Sequence, residues 1–122
     1  MKVILVAEDR ESSRELIRTM LEHSGYTVLE AANGAEALRI AREKSPDLVL
    51  LDLEMPVKDG FEVLQELRCD PRFGPTPIVA LTASAMEGDK KKALTDGFTA
   101  YLTKPLSLAL IRRELSRLLV ES

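Results

Sequence analysis

Four short apolar runs in this chain end in groups that can do chemistry. Glu8 and Asp9 follow Val3–Ala7, and Asp52 follows Leu48–Leu51. Thr82 follows Ile78–Leu81, and Lys104 follows Ala100–Thr103. Three carboxylates brought together would raise one another's pKa values unless a cation sat among them. With one histidine and one cysteine in the chain, no soft-metal cluster competes, so the acids suit a hard divalent cation such as Mg²⁺. A hydroxyl and an ammonium beside them could hold the oxygens of a phosphoryl group, and a carboxylate can act as the nucleophile that accepts one. Each residue also has a plainer reading. Asp52 could simply end a strand. Glu8 and Asp9 could favour the start of a helix. Thr82 could bond to backbone, and Lys104 could be a solvated surface charge. The chemical reading rests on their joint placement.

That placement depends on the elements between them. Val3–Ala7 reads as a buried strand. A helix capped by Ser12 or Ser13 follows, with Leu16, Ile17, Met20 and Leu21 on its apolar stripe and Gly25 at its end. Tyr26–Ala31 is a weaker strand. Asn33-Gly34 leads into a helix with Ala35, Leu38, Ile40 and Ala41 inward, closed by Ser45-Pro46. Leu48–Leu51 is the third strand, and its loop through Pro56 and Gly60 opens a helix with Phe61, Val63, Leu64 and Leu67 inside. Ile78–Leu81 is strand four. Met86–Asp96 reads as helix four, with Ala93 and Leu94 inward. Ala100–Thr103 is strand five, and Leu108, Ile111, Leu115, Leu118 and Leu119 mark the last amphipathic helix.

Five alternating strand–helix units predict an α/β fold: a (βα)5, flavodoxin-like, doubly wound parallel sheet of order 2-1-3-4-5. In that order the first strand lies beside the third. Glu8, Asp9 and Asp52 then share the crevice at the carboxyl ends of the strands, where Thr82 and Lys104 also point.

The chain has 122 residues, 45% hydrophobic and 30% charged, which fits a single domain over 1–122. A net charge of −3 offers no basic footprint for direct nucleic-acid contact and no polybasic membrane patch. One cysteine, no secretory pattern and no long apolar run make a cytoplasmic setting the expectation.

Glu8-Asp9, Asp52 with Met55-Pro56 and Gly60 in its loop, Thr82-Ala83 and Lys104-Pro105 together resemble the receiver domain of two-component response regulators. The likeness spans essentially the whole chain. It implies a signalling module rather than an enzyme, catalysing at most its own phosphorylation and dephosphorylation. Asp52 would take a phosphoryl group from a phosphohistidine on a histidine kinase or histidine phosphotransfer protein. Glu8, Asp9, Asp52 and the backbone carbonyl of Glu54 would hold Mg²⁺, and Thr82 and Lys104 would contact the phosphoryl oxygens. The resemblance implies that Thr82 and Tyr101 form the switch, altering a surface of helix four, strand five and helix five read by a downstream effector protein. It also implies a cis Lys104-Pro105 bond, and it makes Glu54 and Ser84 positions that tune phosphoryl lifetime.

Two readings of other classes compete. One is a Mg²⁺-dependent phosphohydrolase with Asp52 as nucleophile, disfavoured by loops too short to cap a substrate. The other is a flavodoxin-like binding module, disfavoured because Ala7-Glu8-Asp9-Arg10 offers acids where a phosphate-cradling loop is needed. His23 needs no chemical role. Cys69 reads as a small packing residue. Lys90-Lys91-Lys92 reads as a solvated helix face beside the proposed output surface.

Overall fold

The computed structural model describes residues 2–83 and 87–119. Its elements are β1 (Val3–Ala7), α1 (Glu11–His23), β2 (Thr27–Ala31), α2 (Gly34–Lys44) and β3 (Leu48–Asp52). They continue with α3 (Gly60–Arg68), a 3₁₀ turn (Pro71–Phe73), β4 (Ile78–Thr82), α4 (Glu87–Asp96), β5 (Ala100–Thr103) and α5 (Leu108–Leu118). The strands form one parallel sheet in the order β2-β1-β3-β4-β5. This is the flavodoxin-like arrangement expected from the strand–helix alternation.

The central strands β3 and β4 are buried at every position, which is why they read as unbroken apolar runs. One apolar cluster joins Leu5, Val49, Leu51, Leu64, Phe73 and Ala80 on one face of the sheet. The other joins Ile4, Val6, Leu50, Leu81, Ile111 and Leu115 on the opposite face. A fully buried leucine such as Leu64 contributes roughly 1.5–3 kcal/mol relative to exposure. β2 is an edge strand, with its middle only half-buried.

Several local expectations are corrected. α1 begins after Arg10, whose side chain makes no cap, so Ser12 and Ser13 lie inside the helix. Its buried residues are Ile17 and Leu21, whereas Leu16 is 58% exposed at the rim of the stripe. In α2 Ala37, Leu38 and Ala41 are buried and Ile40 packs half-buried against the same cluster, whereas Ala35 faces solvent. Asn33 is that helix's cap: its side chain accepts the Glu36 N–H at 2.9 Å. Cys69 ends α3 exposed rather than packed. In α4, Ala93 is buried but Leu94 is 42% exposed. Met86 and Ser84 lie outside the described residues.

The Arg68 guanidinium ties the lower edge together. Nη1 donates to the carbonyls of Phe73 (2.8 Å) and Thr76 (3.0 Å), and Nη2 donates to that of Gly97 (3.1 Å). The Lys92 ammonium sits 4.8 Å from the centre of the Phe61 ring, adding a cation–π contact between α4 and α3.

Candidate functional site

Each strand sets its side chain by where it stops. Asp52 is the last residue of β3, and the Leu53 N–H still donates to the Leu81 carbonyl at 3.0 Å. The ladder therefore fixes the backbone on both sides of the carboxylate. Asp52 is only 6% exposed. Its Oδ1 accepts the Glu54 N–H at 2.8 Å, and its Oδ2 accepts from Lys104 Nζ at 2.6 Å. Glu8 follows β1 directly; its N–H donates to the Ala31 carbonyl of β2 at 3.0 Å, and its side chain is fully buried. Asp9 is exposed at the rim. Thr82 ends β4 nearly buried, and its carbonyl accepts the Lys104 N–H at 2.7 Å. Lys104 follows β5, and the Lys104-Pro105 bond is cis, as expected.

The loop between β3 and α3 is seated by close backbone approaches. A Cβ on Gly34 would lie 2.1 Å from the Lys58 carbonyl oxygen, and one on Gly60 would lie 2.7 Å from that of Asp52. Only glycine admits these approaches. Val57 in this loop has φ +71° and is 73% exposed, a left-handed conformation that costs a β-branched residue roughly 1–3 kcal/mol.

The result is a cleft of ≈ 580 Å³ lined by Glu8, Asp9, Asp52, Glu54, Thr82 and Lys104, among others. All five residues singled out at strand ends meet there. One contact went unforeseen: Lys104 Nζ also donates to Glu8 Oε2 at 2.5 Å, so a single ammonium bridges two buried acids. Burial, and then the neighbouring Asp52 carboxylate, push the Glu8 carboxyl up to about 7 despite Lys104. For Asp52, burial favours the neutral form. The bonds from Glu8, Lys104 and the Glu54 N–H outweigh it and hold the carboxyl below its ordinary value. Burial acts against the Lys104 charge as well, but Asp52 and Glu8 raise its pKa overall. Burial and the shared cation thus push the two acids in opposite directions, Glu8 up and Asp52 down.

Glu8, Asp9 and Asp52 each offer a carboxylate oxygen, and these lie within 4.8 Å of one another. An all-oxygen set without nitrogen or sulfur fits a hard divalent cation such as Mg²⁺. Tyr101 sits apart from the acids. It is half-buried on β5, packed against the cluster that contains Ala80 and Ala93, and lines a shallow groove of ≈ 170 Å³ with Lys90, Leu94 and Arg117.

Residues 4–116 match the response regulator receiver domain family. The chain belongs to that family. A polar-differentiation response regulator, DivK, of Brucella anthropi is 40% identical over 107 residues, covering 88% of this chain and 87% of that protein. The chemotaxis response regulator CheY4 of Vibrio cholerae superposes with a TM-score of 0.92 at 33% identity, covering 98% of this chain and 99% of that one. The receiver domain of the sensor histidine kinase PA1611 of Pseudomonas aeruginosa gives 0.88 at 37% identity, covering 95% of each chain; its active-site cleft coordinates a magnesium ion. Receiver domains are signalling domains of two-component systems that relay signals from histidine kinases to downstream targets. No helix among the described residues is long and apolar enough to cross a membrane.

Proposed function

We propose that this receiver takes a phosphoryl group on Asp52 from the phosphohistidine of a histidine kinase or histidine phosphotransfer protein. The observation that carries this reading is the Asp52 carboxylate itself. It is nearly buried, and it is held by the Glu54 N–H and Lys104 Nζ at the floor of an acid-lined cleft. Glu8, Asp9 and Asp52, with the Glu54 carbonyl, would hold Mg²⁺. Once bound, the ion would neutralise the negative charge crowded between acceptor and phosphoryl oxygens. A carboxylate oxygen of Asp52 attacks phosphorus in line. The P–N bond breaks, and the leaving imidazole nitrogen keeps the bonding pair and takes a proton from solvent. Lys104 and the Thr82 hydroxyl then contact phosphoryl oxygens.

The phosphoryl group adds roughly −1.5 to −2 charge beside Lys104 and Thr82. Thr82 pairs with Thr103 and Ala80 with Tyr101 in the β4–β5 ladder, so Thr82 and Tyr101 occupy one face of adjacent strands. A shift of Thr82 toward the phosphoryl group frees space on that face. Tyr101 turns into it and reshapes the α4–β5–α5 surface met by an effector protein.

Incubation with acetyl phosphate or phosphoramidate and Mg²⁺, followed by intact-mass measurement, tests this reading. A single phosphoryl adduct that is absent in Asp52→Ala is expected. An adduct that persists in Asp52→Ala, or multiple turnover of a phosphate ester without an adduct, overturns it.

A further inference from the structure

Arg14 and Glu30 each occupy a position that disfavours their type. Arg14 is a cation among the first four residues of α1, where the helix dipole favours acids. Glu30 lies inside β2, where glutamate is uncommon. They pair: Arg14 Nε donates to Glu30 Oε1 at 3.3 Å. The same guanidinium reaches further, and its Nη1 donates to the Glu8 carbonyl oxygen at 2.8 Å. The Glu8 N–H donates to the Ala31 carbonyl, one residue after Glu30. Both polar backbone groups of the buried acid are therefore engaged, the N–H by β2 directly and the carbonyl by an arginine anchored on β2.

The geometry points to Arg14 as the positioning residue of the acid loop. Its fork locks the peptide after Glu8 to the β2 edge, so that the Glu8 side chain faces Asp52 and Lys104 while Asp9 is presented at the rim. The planar fork holds the carboxylate and the carbonyl through two different nitrogens in fixed geometry, which the single nitrogen of a lysine does not reproduce. Arg18 supplies the contrast. Its Nη1 donates to Glu30 Oε2 at 3.1 Å, so it shares the same anchor, but its bonds go to glutamates and none to Glu8. The consequence for metal affinity rests on the proposed Mg²⁺ site; the placement of the loop does not.

The test compares wild type, Arg14→Lys, Arg14→Ala and Arg18→Ala. In metal-free protein, amide hydrogen exchange at Glu8 is expected to quicken at least ~10-fold in both Arg14 variants relative to Val79 and Leu81 in β4. It is expected to stay unchanged in Arg18→Ala. Calorimetric Mg²⁺ titration is expected to show affinity on the order of 10-fold weaker in the Arg14 variants alone. Glu8 exchange that follows the β4 amides overturns the assignment, as does equal loosening by Arg18→Ala. Failure of wild type to bind Mg²⁺ would count against the metal site, while the exchange data still decide the role of Arg14.

Discussion

Lys104 Nζ stands 2.6 Å from Asp52 Oδ2, reaching past β4 from the end of β5 to the end of β3. With Glu8 Oε2 at 2.5 Å from the same nitrogen, one cation offsets two buried acids. Lys104→Met removes that charge and leaves the acids facing each other. Mg²⁺ affinity is expected to rise, by about 10-fold, because the cation no longer competes with an ammonium. The rate of phosphoryl uptake from acetyl phosphate is expected to fall ~100-fold or more, because a donor to the transferring oxygens is lost. Calorimetry and the time course of adduct formation read the two effects separately.

The raised pKa of Glu8 makes stability depend on pH. Between its ordinary 4.5 and about 7, the native protein keeps a proton that the unfolded chain has released. Stability of the metal-free protein therefore falls as pH rises through that window, by at most about 3–4 kcal/mol at roughly 1.4 kcal/mol per pKa unit. Asp52 acts the other way: its lowered pKa adds stability that is present above 3.8 and lost as pH drops further. Urea denaturation from pH 4.5 to 7.5 should show the fall in wild type and little of it in Glu8→Gln.

Gly34 and Gly60 should resist substitution for steric reasons. The Cβ of Gly34→Ala would meet the Lys58 carbonyl at 2.1 Å, so the loop must move. A loss of about 1–3 kcal/mol is expected. A Cβ on Gly88, in the first turn of α4, would meet nothing within 4 Å among the described residues, and Gly88→Ala should instead gain up to about 0.5 kcal/mol from helix propensity. Thermal melts of the two variants should move in opposite directions.

Arg68→Met keeps the bulk of the stem but deserts the carbonyls of Phe73, Thr76 and Gly97. A cost of about 2–3 kcal/mol is expected from these unsatisfied acceptors. Arg68 joins α3 to the segments before β4 and β5, at the end of the sheet opposite the acids. Mg²⁺ affinity at 25 °C should therefore remain that of wild type. A matching loss of affinity would mean that the two ends of the sheet are coupled.

The strands were legible because β3 and β4 are covered on both faces, which forces unbroken apolar runs that stop where the chain leaves the sheet. Asp52, Thr82 and Lys104 stand at or just past those stops, so finding the strands located the lining of the cleft. What lay beyond the sequence was reach. A six-residue separation does not say that Arg14 bends back to the Glu8 carbonyl, and no spacing says that Lys104 rests on Glu8 as well as Asp52. Helix rims were also poorly resolved by pattern. Leu16 and Leu94 carry the right residue type for a core stripe, yet they sit at its edge, where a rotation of one position decides between core and solvent. Cys69 departs for a related reason: it caps the end of α3 on the solvent side, although small cysteines are common in cores.

The sheet divides the apolar interior into two compartments that share no buried side chain among the described residues. One is closed by α1 and α5, the other by α2, α3 and α4. Substitutions in opposite compartments that are not chain neighbours share no packing partners within these clusters, so their stability effects should largely add. Descendants of this chain can accordingly redesign one flank while the other stays as it was. The row of strand ends, where both flanks meet, is what the proposed phosphoryl chemistry would require to be inherited whole.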